Sequence, residues 1–161
     1  MVEIEIECIN IKGFPTEEVY VCKIQAEGYT RIIPLYRLIE RDRLIKLDIL
    51  FRDCRVRDDW LKIIGLNEQE ILKKYFESEE GRAEKLFIDL VNAGVIPKPV
   101  NGKITFESRG IRYEIDVNEE KLFVNGKERC FTCKEDLPKF DRIISLYFTL
   151  IHSPENLRMR E

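Results

Sequence analysis

One histidine (His152), one tryptophan (Trp60) and two glutamines (Gln25, Gln69) are all that the 161 residues contain of those types. A lone imidazole leaves no pair for a histidine-based metal centre and no second base behind a serine nucleophile. His152, beside Ser153 at the end of an apolar run, reads as a boundary residue. The patterns G-x-S-x-G, G-x-x-x-x-G-K-[ST] and G-x-G-x-x-G are missing, which excludes the nucleophile elbow, the phosphate loop and the dinucleotide turn. Eighteen consecutive apolar residues never occur, and Met1 to Glu7 lacks the basic and apolar pattern of a leader, so no membrane span is expected and cytoplasm is the expected compartment. The net charge of −3 leaves no global basic field to gather nucleic acid.

Against these absences, 44% hydrophobic and 35% charged residues describe a globular chain of one domain or two small ones. Abundant Glu, Lys, Arg and Ile with little Gln is the bias of proteins from hot environments, where ion-pair networks gain value. That composition admits disulfides even in a reducing compartment, so the five cysteines (Cys8, Cys22, Cys54, Cys130, Cys133) are not excluded from pairing.

The N-terminal region, residues 1–57, reads as strand-rich. Val2 to Cys8 alternates Val2, Ile4, Ile6 and Cys8 with Glu3, Glu5 and Glu7, as a strand with one wet face does. Phe14-Pro15-Thr16 breaks the chain, and Val19 to Gln25 forms a second strand with Tyr20, Cys22 and Ile24 inward, ended by Gly28. From Tyr29 to Val56, Ile45, Leu47, Ile49 and Phe51 alternate with polar residues and predict mostly strand, although Leu35, Leu38 and Ile39 suit a helix. The cations from Arg37 to Arg57 are interleaved with Glu40, Asp42, Asp48, Asp53, Asp58 and Asp59, which is the pattern of a solvated ion-pair surface.

Residues 58–161 carry helices and a meander, either as a second unit or as part of one domain over 1–161. After a short helix from Trp60 to Ile64 closed at Gly65, Asn67 with Glu70 three residues on predicts a capped helix with Ile71, Leu72, Tyr75 and Phe76 on one face. Ala83, Leu86, Phe87 and Leu90 predict a second helix, closed by Gly94. Ile104 to Phe106, a Ser108-Arg109-Gly110 turn and the alternating Ile111 to Val117 then predict a two-stranded ribbon.

The order helix, turn, helix, ribbon over residues 67–117 resembles the winged helix-turn-helix superfamily. That resemblance implies a second helix in the DNA major groove and a hairpin on the backbone, with Arg82, Lys85, Lys103, Arg109 and Arg112 as the phosphate donors. The chain departs from the pattern at Glu77, Glu79, Glu80 and Glu84, which crowd the turn and the start of the reading helix and would repel phosphate. Winged helices also serve as protein-contact modules, and an acidic one suits that use.

Asn118-Glu119-Glu120 and then Asn125-Gly126, a strong hairpin signal, extend the ribbon to a four-stranded meander over 103–132. The last element begins at Asp136 with Pro138 in its first turn, and Phe140, Ile143, Ile144, Tyr147, Phe148 and Ile151 give it a broad apolar stripe through which the chain could form a homodimer. Cys130-Phe131-Thr132-Cys133 is half of a zinc motif, leaving free thiols, a disulfide or a metal as open readings of Cys130 and Cys133. The expected fold is α+β, with N-terminal antiparallel strands, a central helix pair, the meander and a C-terminal amphipathic helix. The expected function is a non-enzymatic protein-interaction or regulatory subunit without a cofactor. A DNA-binding regulator, and a small metal- or thiol-dependent enzyme such as a nuclease, are the alternatives.

Overall fold

A computed structural model describes residues 4–12, 18–26, 28–52, 60–131, 136–156 and 159–160. Within them the chain is α+β. Glu5–Lys12 (β1), Glu18–Ala26 (β2) and Tyr29–Pro34 (β3) form an antiparallel sheet in chain order. The Glu5/Glu7 face is exposed and the Ile6/Cys8 face buried, as period two demands. Cys8 stands directly opposite Cys22 in the β1–β2 register and is bonded to it, a disulfide inside the buried face of the sheet. The predicted break at Phe14-Pro15-Thr16 lies outside the described residues, as do Val2, Glu3, Cys54 and Cys133.

After β3 a short 3-10 turn, Leu35–Arg37, leads to a helix, Arg41–Arg52 (α1), where the alternation of Ile45, Leu47, Ile49 and Phe51 predicts strand. The reason lies in the neighbouring residues: Leu44 and Leu47, three apart, pack on the core while Ile45 is left exposed, so the helical period prevails over the period of two. Trp60–Ile63 (α2) follows, with Gly65 at positive φ behind it; the side chain of Trp60 lies outside the description.

Glu68–Glu77 (α3) starts at Asn67, whose side chain accepts the Gln69 N–H at 2.8 Å. Glu79–Asn92 (α4) follows with a single residue, Ser78, between the two helices. Ser78 makes that joint by itself: its hydroxyl donates to the Tyr75 carbonyl and accepts the Gly81 N–H at 3.1 Å, closing one helix and capping the next. So tight a reversal admits no side chain at Gly81, where a Cβ would sit 1.7 Å from the Tyr75 carbonyl oxygen. The far end of α4 closes on Gly94 through the paired bonds Gly94 N–H to Val91 and Val95 N–H to Leu90, a Schellman motif.

Lys103–Ser108 (β4), Ile111–Asp116 (β5), Lys121–Val124 (β6) and Lys127–Phe131 (β7) form the antiparallel meander, and the two-residue Met159–Arg160 (β8) adds to its β7 edge. Arg109-Gly110 and Asn125-Gly126 both hold positive φ at two successive residues, the turn whose twist matches the flanking strands. Between β5 and β6, the Asp116 carboxylate accepts the N–H groups of Asn118 and Glu119. Lys139–His152 (α5) lays Phe140, Ile143, Leu146, Tyr147 and Leu150 on this sheet and on α4, with Ile144, Phe148 and Ile151 at the margin of the same core. Its apolar stripe is thus used within the chain.

Two buried clusters result. The first joins β1–β3, α1, α2 and α3; the second joins α4, α5 and β4–β6, and reaches across to Tyr29 of β3. Ile4 and Phe76 pack against both. They are further joined where the Gly28 turn meets the Pro99 loop: the Gly28 carbonyl accepts the Gly102 N–H at 3.0 Å, and a Cβ at Gly28 would lie 1.9 Å from the Pro99 oxygen. No described helix is long and apolar enough to cross a membrane.

Candidate functional site

On β3, Tyr29, Arg31 and Ile33 share one face because strand side chains alternate. That face meets α3 and α4, and there Glu84 is 0% exposed in an otherwise apolar interior. Burying a carboxylate is costly unless it is paired and hydrogen-bonded. Glu84 has three partners: Arg31, which donates to Oε1, Tyr75, whose hydroxyl donates to the same oxygen, and Tyr29, whose hydroxyl donates to Oε2 at 2.8 Å. Arg31 also donates to the Tyr75 hydroxyl at 2.7 Å and lies over the Phe140 ring at 5.1 Å. Every buried polar side-chain atom among the described residues is satisfied.

The network moves its members' titrations in understandable directions. Burial, then the negative charge of Glu84, pushes both tyrosine hydroxyls well above their usual range. For Arg31, burial works to lower the pKa, but Glu84 and Tyr75 outweigh it and the guanidinium is held more firmly charged.

Above this network opens a cleft of about 430 Å³ between β3, the 3-10 turn, the start of α4, the β5–β6 turn and the start of α5. Arg31, Arg37, Lys139 and Arg142 line it together with Glu79, Glu80, Glu120 and Asp136. Arg37 pairs with Glu80 at 2.7 Å, and Arg142 grips Glu120 through two bonds of 2.7 and 3.0 Å. A second recess of about 540 Å³ shares Arg37, Glu79 and Glu80 with the cleft and is otherwise lined by Ile33, Tyr36, Leu38, Tyr75 and Ser78. Tyr36 at its rim is 66% exposed.

The residues that the winged-helix resemblance implies are placed apart from this groove. Arg82 and Lys85 stand exposed on α4, Lys85 paired with Asp89 at 3.0 Å. Lys103 begins β4, whereas Arg109 lies at that strand's other end and donates to the His152 carbonyl at 3.1 Å. Arg112 is exposed on β5 opposite Glu107. Hairpin and helix thus each carry cations, but Lys103 and Arg109 are separated by the length of β4. Cys130 is an exposed free thiol on β7, and its motif partner Cys133 lies outside the described residues. No group of three or more potential metal ligands occurs among the described residues.

Glu84 and Arg31 were not singled out by their sequence neighbourhoods. Glu84 counts there among the acids crowding α4, and only its place in the stripe Ala83, Glu84, Phe87, Ile88, Val91 signals an inward carboxylate. No family model, curated protein or solved structure matches the chain.

Proposed function

We propose that the protein is a non-enzymatic interaction module, a docking or regulatory subunit, that receives an extended segment of a partner protein in the groove formed by the recess and the cleft. The observation that carries this reading is Tyr36, an exposed aromatic beside Arg37 at the mouth of a recess with Ile33, Leu38 and Tyr75 in its lining, which shares Arg37, Glu79 and Glu80 with a charged cleft. Tyrosine and arginine around a concave apolar floor are the residue types that anchor protein interfaces. The floor of Ile33, Leu38 and Tyr75 suits an aliphatic or aromatic side chain. Glu79 and Asp136, which have no ion pair among the described residues, suit a basic residue next to it.

Fluorescence anisotropy against a panel of short peptides, varying an apolar anchor and its basic neighbour, tests the proposal. Saturable binding of the apolar-basic members, lost in Tyr36→Ala and in Arg37→Glu while circular dichroism is unchanged, is the expected result. Binding that is indifferent to Tyr36→Ala, or a panel without any binder, overturns it.

A further inference from the structure

Among the described residues each sheet ends in two open edges, and three of the four are guarded. β1 exposes Glu5 and Glu7, β4 exposes Lys103 and Glu107, and β8 is two residues long. Charge and shortness are usual means of keeping an edge from pairing with another chain. The outer face of β3 has no charge: β3 pairs with β2 alone, and its outward side chains are Thr30, Pro34 and Ile32, the last 60% exposed. Ala26 lies directly opposite Tyr29 where β2 turns into β3, with two residues between them, and such a closing pair is hydrogen-bonded. By alternation Arg31 and Ile33 also bond to β2, so the N–H and C=O groups of Thr30 and Ile32 point to the open edge. Pro34, which has no N–H to offer there, falls on the same side. No turn or loop backbone bond within the described chain occupies those four groups.

We propose that the partner's segment joins this edge as an added β-strand, extending the first sheet beyond β3. The inference rests on the docking reading above and names the form that the docked segment takes. Arg31 lines the cleft and Ile33 lines the recess, so both cavities lie along the inward face of β3. Residues two apart on a strand share a face and stand about 6.7 Å apart. A strand laid on β3 therefore delivers alternate side chains to the recess and to the cleft. Its apolar anchor enters the recess beside Ile33, Leu38 and Tyr75. Two residues away its basic side chain enters the cleft, where Glu79 and Asp136 receive it and where Glu84 already balances the charge of Arg31. The residue between them faces outward next to Ile32, and a β-branched side chain there covers the apolar surface that Ile32 leaves exposed. Main-chain bonds to Thr30 and Ile32 supply affinity, and the alternation of apolar and basic side chains supplies specificity.

The test takes panel peptides that are rich in Val and Thr and carry a Leu with a Lys two residues on, and follows amide hydrogen exchange of the whole protein by NMR. In the free protein the amides of Arg31 and Ile33 should be protected and those of Thr30 and Ile32 should exchange freely; saturating peptide should slow the latter two severalfold. A scan of single N-methyl groups along the peptide should weaken binding at alternate residues, by about tenfold for each amide that bonds to β3, and spare the residues between. Ile32→Lys, which places a charge on the exposed face of the edge, should weaken binding with the melting temperature retained. Saturable binding that leaves Thr30 and Ile32 unprotected, or an N-methyl scan without alternation, overturns the strand addition and leaves docking at Tyr36 standing. A panel without any binder overturns both. Protection of the two amides that rises with protein concentration in the absence of peptide assigns the edge to a second copy of this chain and overturns the partner strand.

Discussion

The two buried clusters are stabilised by different means. The first is built on a sheet with an internal disulfide, Cys8–Cys22, and closes over short helices. The second carries no disulfide among the described residues; it relies on two-residue turns and on aromatic packing in which Tyr29, Phe87 and Phe140 meet at 5.1 to 5.8 Å and Phe106 meets Tyr113 and Tyr147. One region is fixed by a covalent cross-link and the other by local turn geometry and apolar area. The Glu84 network lies between them: Tyr75 belongs to the first cluster, while Tyr29 and the neighbours of Glu84 on α4 belong to the second.

The largest effect should come from breaking that junction. Glu84→Ala leaves Arg31 buried without its counter-charge and should cost about 3–5 kcal/mol, whereas Arg31→Met with Glu84→Leu should recover most of the loss. A double-mutant cycle in urea measures the coupling; a single variant within experimental error of wild type would show that the two regions do not depend on this pair.

Removing the cross-link should act on one side of the comparison. Cys8→Ser with Cys22→Ser frees a loop spanning 14 residues and should cost about 3 kcal/mol by loop entropy. Amide exchange should quicken first in β1 and β2 and later in β4–β6. Equal acceleration throughout would mean that the two clusters unfold as one.

Alkali should sharpen the comparison from a third direction. The hydroxyls of Tyr29 and Tyr75 have folded pKa values raised by burial and by Glu84, so the unfolded chain loses these protons first. Their contribution to stability is complete below the usual tyrosine value of about 10 and is lost as pH rises above it. Lys139, with its pKa lowered by burial and Arg31, contributes in the opposite sense: its charged form costs stability, and that cost is relieved as pH rises towards the usual lysine value. The tyrosines have the larger shifts, so melting temperature should fall above about pH 10, and less steeply in Tyr29→Phe with Tyr75→Phe. An identical slope in both proteins would remove the tyrosines from the account.

The smallest effect expected is at the joint between α3 and α4, where Ser78→Ala should cost about 1 kcal/mol in denaturant unfolding, the usual loss for an N-cap hydroxyl. A neutral substitution would show that solvent caps α4 equally well.

What could be read from the chain follows the same division. The second region was legible because its signals are local: Asn125-Gly126 fixes a turn by backbone preference, Gly94 ends a helix, and Phe140 to Ile151 repeats at helical spacing. The first region was less so, because Ile45 to Phe51 satisfies two periods at once and only packing decides between them. The disulfide had a signal in the inward positions of Cys8 and Cys22 on two expected strands, but the C-x-x-C spacing at Cys130 and Cys133 was the more conspicuous one. For the Glu84 network the one local signal is the place of Glu84 in the buried stripe of α4, and nothing local marks its partners. Arg31 and Glu84 are 53 residues apart, and their meeting is a product of the fold.

The Ser78 hydroxyl has a consequence for how the chain holds its form. Because it serves the last turn of α3 and the first turn of α4 together, neither end is fully satisfied until both helices exist. Loss of either helix therefore leaves a backbone group at the end of the other without that partner, which couples the fraying of the two ends. The same side chain thus ties a helix of the disulfide-bearing cluster to a helix of the other.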